Sequence, residues 1–244
     1  MRIIITGATG TIGSILMNHL SKQYEVIGIA RGADGKNLIS LDILKDQEKI
    51  KALINEGDII IHLAWDTRES GSGFKTVIDS NKKMGEIMLA IALEKKAKRF
   101  ILASTISVSF GYYHHLNNDG THNTAPQKKI MATDPPFSLG IYGASKIYLE
   151  ALGKAYSANG LQVIAARFSQ IGRNDDHGRY PFSLSHRDCR QFIEKCLTVE
   201  NLPAFSTYFV TSNNECNPFD ISNAKMELGW EPEDSSPCLI KNNL

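Results

Sequence analysis

The chain has 244 residues, with 27 Lys and Arg against 26 Asp and Glu and a formal charge of +1, so it offers no electrostatic footprint for nucleic acid or an anionic membrane surface. Apolar runs such as "IMLAIAL" at 87–93 fall far short of the roughly 20 residues that span a bilayer, and the start "MRIIITG" lacks a signal-peptide pattern, so a cytoplasmic protein is expected. Cys189, Cys196, Cys216 and Cys238 show no C-x-x-C spacing, which argues against a zinc knuckle or disulfide framework and predicts reduced, mostly buried thiols.

The first strand is "RIIIT" at 2–6, and "TGATGTIG" follows it directly. Gly7, Gly10 and Gly13 recur every three residues as a helix opens over 11–22, so the backbone can turn tightly and bring the amides around Thr11 and Ile12 to a pyrophosphate. No Gly-Lys-Ser/Thr follows, which excludes a nucleotide-hydrolysing P-loop. The second strand, "EVIGIA" at 25–30, ends in Ala30 and Arg31 without the acid that receives the ribose 2′-hydroxyl of NAD. A guanidinium at Arg31 can grip a 2′-phosphate with two parallel bonds, so NADP is favoured over NAD, with Asp34 as the rival acid. Asp42 in "SLDIL" reads either as an acceptor for the adenine amino group beside Ile43 or as a helix N-cap.

A helix over 46–56 leads to the strand "DIIIH" at 58–62, after which Leu63 and Ala64 are small or apolar enough for a cofactor to lie across the strand ends. A helix over 76–96 precedes the strand "RFILAS" at 99–104. Residues 111–136 are polar, rich in turn formers and too long for an ordinary connection, which predicts a lid or substrate loop. In "IYGASK" at 141–146, Tyr142 and Lys146 stand one above the other on a helix running over 143–159. A neighbouring ammonium lowers a phenol's pKa and suits it to proton transfer. After the strand "QVIAARF" at 162–168 the pattern loosens into Gly, Asn, Asp and Pro. Strands apolar on both faces and alternating with helices predict a doubly wound α/β fold with a parallel sheet. The expected organisation is a dinucleotide-binding Rossmann core over 1–168 and a small substrate-binding region over 169–244. Trp65, His114, His115 and His177 are candidates for lining a pocket, and no metal site is expected.

Gly-x-x-Gly-x-x-Gly after the first strand, "HLA" at 62–64, "AST" at 103–105, Tyr142-x-x-x-Lys146 and "ELGWEPE" at 227–233 together resemble the extended short-chain dehydrogenase/reductase family, also called the NAD-dependent epimerase/dehydratase family, over nearly the whole chain. The resemblance implies a Thr-Tyr-Lys set. Tyr142 would be the acid/base, Lys146 would hold the nicotinamide ribose and lower the tyrosine pKa, and Thr105 would bind the reacting oxygen, with Ser104 and Ser107 as neighbouring hydroxyls. The family's dehydratases carry Asp-Glu where this chain has Ile106 and Ser107. The stretch after Phe168 is similar to the uronate dehydrogenases, which puts their substrate-gripping arginine at Arg179. The chain departs from them at Ile106, at Ser107 and at Gln170, positions that face substrate in those enzymes. The implied activity is hydride transfer between a nicotinamide and a hydroxyl or carbonyl carbon of a small-molecule, sugar-like or sugar-acid-like substrate. An epimerase with tightly held cofactor and a non-catalytic dinucleotide-binding or redox-sensing protein are the alternatives. The helices near 76–96 and 143–159 are also candidates for pairing across a two-fold axis into a homodimer.

Overall fold

Ile3, Ile4 and Ile5 are fully buried although neighbouring strand residues face opposite ways, and Ile59, Ile60 and Ile61 repeat the pattern. Such strands lie inside a sheet covered on both sides. The computed structural model describes residues 1–66, 74–113, 128–175 and 182–237. Its strands are β1 (Arg2–Thr6), β2 (Glu25–Ala30), β3 (Leu38–Ser40), β4 (Ile59–His62), β5 (Arg99–Thr105), β6 (Val163–Phe168) and β7 (Phe205–Val210). They form one sheet in the order β3-β2-β1-β4-β5-β6-β7. The pairings β3–β2, β2–β1, β1–β4 and β4–β5 are all parallel. The doubly wound α/β expectation is met. Two strands, β3 and β7, escaped the sequence reading.

The chain divides into two compact units that interleave along the sequence. The first comprises 1–103, 145–165 and 203–206; the second comprises 104–144, 166–202 and 207–244. In the first, α1 (Thr11–Leu20), α2 (Gln47–Leu53), α3 (Phe74–Glu94) and most of α4 (Ile141–Ser157) accompany the strands. Met84, Met88 and Leu89 of α3, Leu149 of α4, and Ile4, Ile60 and Phe100 of the sheet share one apolar cluster. Burial of each such side chain contributes about 1.5–3 kcal/mol.

The second unit gathers Ile106, Ile130, Phe182, Phe209 and Phe219 into its own cluster. Its helices are α5 (His186–Thr198) and α6 (Ser222–Leu228). Ser185 caps α5 by accepting a hydrogen bond from the Asp188 amide at 3.0 Å. Asp188 is fully buried and its carboxylate receives the Ser212 hydroxyl at 2.5 Å and the backbone N–H groups of Glu233 at 2.8 Å and Asp234 at 3.2 Å. The "ELGW" stretch has an equally local explanation. Gly229 ends α6 in the left-handed conformation, and Trp230 then packs edge-on against Phe192 with ring centroids 5.1 Å apart.

The cysteines need a correction. Cys189 and Cys196 are free and buried as expected, but Cys216 is disulfide-bonded. Residues 233–236 return alongside 213–215, with Asn213 donating to the Asp234 carbonyl at 2.8 Å and Glu215 to that of Ser236 at 3.1 Å. Spacing along the sequence carries no trace of that return. Among the described residues no helix is long and apolar enough to cross a membrane, and no cluster of His, Cys, Asp and Glu is arranged for a metal ion. Of the loop expected as a lid, 114–127 lies outside the described residues, while within the second unit the Ile130 amide donates to the Pro218 carbonyl and the Ile130 carbonyl accepts from the Asp220 amide, both at 2.8 Å.

Replacing Asp188 with Ala leaves a buried hydroxyl and two partly buried amides without their acceptor. The expected loss of stability is about 3 kcal/mol, read as a lower urea midpoint at unchanged m-value.

Candidate active site

At the end of β1 the chain turns so tightly that Gly7 adopts φ +71°, and a Cβ there would stand 2.7 Å from the Ala64 nitrogen. A Cβ on Gly13 would lie 2.2 Å from the Gly7 carbonyl oxygen. Both positions exclude a side chain, so the turn stays backbone-lined. Gly10 is the N-cap of α1 and supplies no side-chain cap, so the first helical amides, with Thr11 and Ile12 half-exposed among them, face outward beside the positive end of the helix. The arrangement fits a pyrophosphate. Leu63 and Ala64 lie against the turn because the Thr6 hydroxyl accepts from the Ala64 N–H at 3.3 Å. The same hydroxyl is 2.8 Å from Nδ1 of His62, whose pKa falls to about 3 through burial first and then the charge of Lys146. His62 is therefore a neutral ring that anchors the Thr6 hydroxyl, a role the sequence does not reveal.

Lys146 is 5% exposed on α4. Its ammonium donates to the Ala103 carbonyl at 2.8 Å and sits 3.7 Å from the centroid of the Trp65 ring. Burial pushes its pKa from 10.5 down to about 7, against the pull of the Glu150 carboxylate. The carbonyl and the indole face both favour the charged form and so oppose that fall. Trp65, expected to line a substrate pocket, is thus a contact of this ammonium.

One turn earlier on α4, Tyr142 shares a hydrogen bond with Thr105. Thr105 also lies 3.2 Å from the Ser107 hydroxyl and accepts from the Ser107 amide at 3.2 Å, which opens a 3-10 helix over Ile106–Tyr112. Gly143 permits this assembly, since a Cβ there would lie 2.5 Å from the Ser107 carbonyl oxygen. The tyrosine pKa departs from expectation: it is raised, burial outweighing the lowering effect of the Thr105 bond. Tyr142 is therefore a protonated phenol at neutral pH.

The remaining candidates divide. Asp42 accepts from the Leu44 amide at 2.9 Å, a local turn, whereas the N-cap position of α2 belongs to Asp46. Its neighbour Ile43 is buried in the core cluster. Gln170 is exposed and bridges to Ser183 through its backbone, with Leu184 donating to its carbonyl at 2.8 Å. Arg31 is paired with Asp66 at 2.8 Å. His114, His115, His177 and Arg179 lie outside the described residues. Asp66 and the buried Asn81 that holds its backbone were not anticipated; the only signal was an acid just after "HLAW".

A glycine turn at the carboxyl end of the first strand of a parallel sheet is the architecture of a Rossmann-type dinucleotide-binding protein. Residues 3–206 match the NAD dependent epimerase/dehydratase family, and the chain belongs to that family, the extended short-chain dehydrogenases/reductases. It is 24% identical to the L-arabinose 1-dehydrogenase (NAD(P)(+)) of Haloferax volcanii, over 98% of this chain and 99% of that one. It is 25% identical to a uronate dehydrogenase of Pseudomonas putida, over 96% of this chain and 85% of the relative. In fold it is similar to the glucuronic acid dehydrogenase of Chromohalobacter salexigens, with TM-score 0.76 and 21% identity over 96% of this chain and 85% of that one.

The buried lysine gives a pH signature. Its folded pKa of about 7 lies below the ordinary 10.5, so between those values the unfolded chain binds more protons and folding stability rises with pH. The slope is at most about 1.4 kcal/mol per pH unit and vanishes below the folded pKa, where both states hold the proton. Urea midpoints of Lys146→Met should lack that rise.

Proposed function

We propose that this NAD(P)-dependent oxidoreductase of the extended short-chain dehydrogenase type transfers a hydride between nicotinamide and a hydroxyl or carbonyl carbon of a sugar or sugar-acid-like small molecule. One observation carries the reading: Thr105 and Tyr142 are hydrogen-bonded at the head of the helix that buries Lys146 one turn later. The dinucleotide, when bound, supplies the hydride acceptor or donor. The side-chain-free turn at Gly7 and Gly13 and the uncapped start of α1 suit its pyrophosphate, with Gly10, Thr11 and Ile12 offering backbone and Leu63 and Ala64 an apolar floor.

In the oxidative direction Tyr142 takes the proton of the substrate hydroxyl, and Thr105 holds the same oxygen in line. In the reductive direction the protonated phenol gives that proton to the forming alkoxide. Lys146 binds the nicotinamide ribose and favours the phenolate once ligand displaces solvent. Residues 169–244 form the region that covers substrate, and Arg179, with Gln170 and Ser107, contacts it. Relatives named for arabinose and for uronate support a sugar-like substrate. Arg31 and the lack of an acid at Ala30 favour NADP over NAD. A homodimer through α3 and α4 belongs to the same reading.

The test is turnover with a panel of sugars and sugar acids, followed by nicotinamide absorbance. Tyr142→Phe should still bind dinucleotide while turnover falls at least about a hundredfold. Near-normal turnover removes the assignment, and substrate conversion without net change in nicotinamide absorbance points to an epimerase. Arg179→Ala should weaken a carboxylated substrate by roughly 2 kcal/mol and a neutral sugar little, a split visible in KM. Equal effects on both remove the sugar-acid part alone.

A further inference from the structure

Arg31 leaves the end of β2 and Asp66 follows the end of β4, the two strands that flank β1. Thr6, the last residue of β1, is in register with Ile29 on one side and His62 on the other. The 2.8 Å ion pair between them therefore joins the chain on either side of the Gly7 turn, across the end of the strand that carries the phosphate cradle.

The carboxylate is placed with some care. The Asp66 amide donates to Asn81 Oδ1 at 2.7 Å, and Asn81 Nδ2 donates back to the Asp66 carbonyl at 3.0 Å. Asn81 is fully buried. A core amide thus spends both of its hydrogen-bonding ends on the backbone of one residue. The Asp66 side chain is 15% exposed and the Arg31 side chain 45%, so the acid is the anchored partner and the guanidinium the one with room to move.

Resting on the reading of the chain as a dinucleotide-dependent oxidoreductase, we infer that Asp66 is a specificity-determining residue that sets the NADP-to-NAD preference by tethering Arg31. A 2′-phosphate at the end of β2 needs the guanidinium fork that Asp66 holds. Binding it means drawing Arg31 off an anchored carboxylate, or sharing the fork between two anions. NAD makes no such demand, since its ribose carries a neutral hydroxyl at that position. The preference expected from Arg31 alone is accordingly damped.

Dissociation constants for NADP and NAD, titrated on the full chain at fixed ionic strength, test this in four proteins: wild type, Asp66→Asn, Arg31→Ala and the double variant. Asp66→Asn keeps the shape and the backbone bonds to Asn81 and should raise the ratio of Kd for NAD to Kd for NADP at least about tenfold. Asp66→Ser, which also leaves the backbone bonds in place, should move the ratio the same way. In the Arg31→Ala background the Asp66 substitution should leave the ratio within about twofold, because the tethered group is gone. A ratio unmoved by either Asp66 variant overturns the inference while both dinucleotides still bind and the functional reading stands. An equal rise with and without Arg31 overturns the tether in favour of direct repulsion. Binding of neither dinucleotide by wild type removes the functional reading and this inference together.

Discussion

Thr6 governs the arrangement of the first unit. Its hydroxyl accepts from the Ala64 amide and is hydrogen-bonded to His62 Nδ1, which bends the chain leaving β4 onto the Gly7 turn. Five consecutive residues, His62 to Asp66, then meet four separate partners. Leu63 and Ala64 close the Gly7 turn, Trp65 meets the Lys146 ammonium and Asp66 meets the Arg31 guanidinium. Displacing the end of β4 by a single residue would alternate these side chains to the wrong faces and break all the contacts at once.

Electrostatics follow from that packing. Burial keeps His62 neutral, and the neighbouring Lys146 ammonium adds to the cost of a second cation there. The ammonium is itself held by a backbone carbonyl, an aromatic face and the Glu150 carboxylate at a distance, so the site keeps a movable proton near neutrality. Tyr142 runs the other way: burial keeps its proton on until something lowers the cost of the phenolate. The two groups are displaced in opposite directions, the amine downward and the phenol upward, because loss of solvent disfavours the charged form of each.

Much of the fold was legible because its signals are local. Runs such as "RIIIT" and "DIIIH", bounded by turn formers, mark strands apolar on both faces, and the glycine spacing marks the helix start. Short or amphipathic elements were harder. β3 covers three residues, and β7 reads "FSTYFV", whose alternation is interrupted by the buried Tyr208-Phe209-Val210 run. Within the site, the Thr105, Tyr142 and Lys146 positions follow from motif and helical spacing. The roles of Trp65, Asp66, Asn81 and His62 do not, because each depends on a partner 15 or more residues away: Asp66 and Asn81 are separated by 15 residues, and Thr6 and His62 by 56. The bonded state of Cys216 is likewise not visible in the spacing of the cysteines.

The chain contains two tryptophans, and their surroundings differ. Trp230 is 1% exposed among aromatic rings, whereas Trp65 is half-buried with a cation against its face. An ammonium on the indole face shifts the energies of the excited state, and its deprotonation or displacement reverses that shift. The emission of the protein therefore divides into a steady contribution from the second unit and a responsive one from the first. Substituting Trp230 by Phe would isolate the latter, leaving an intrinsic optical report of the charge on Lys146 without any added label.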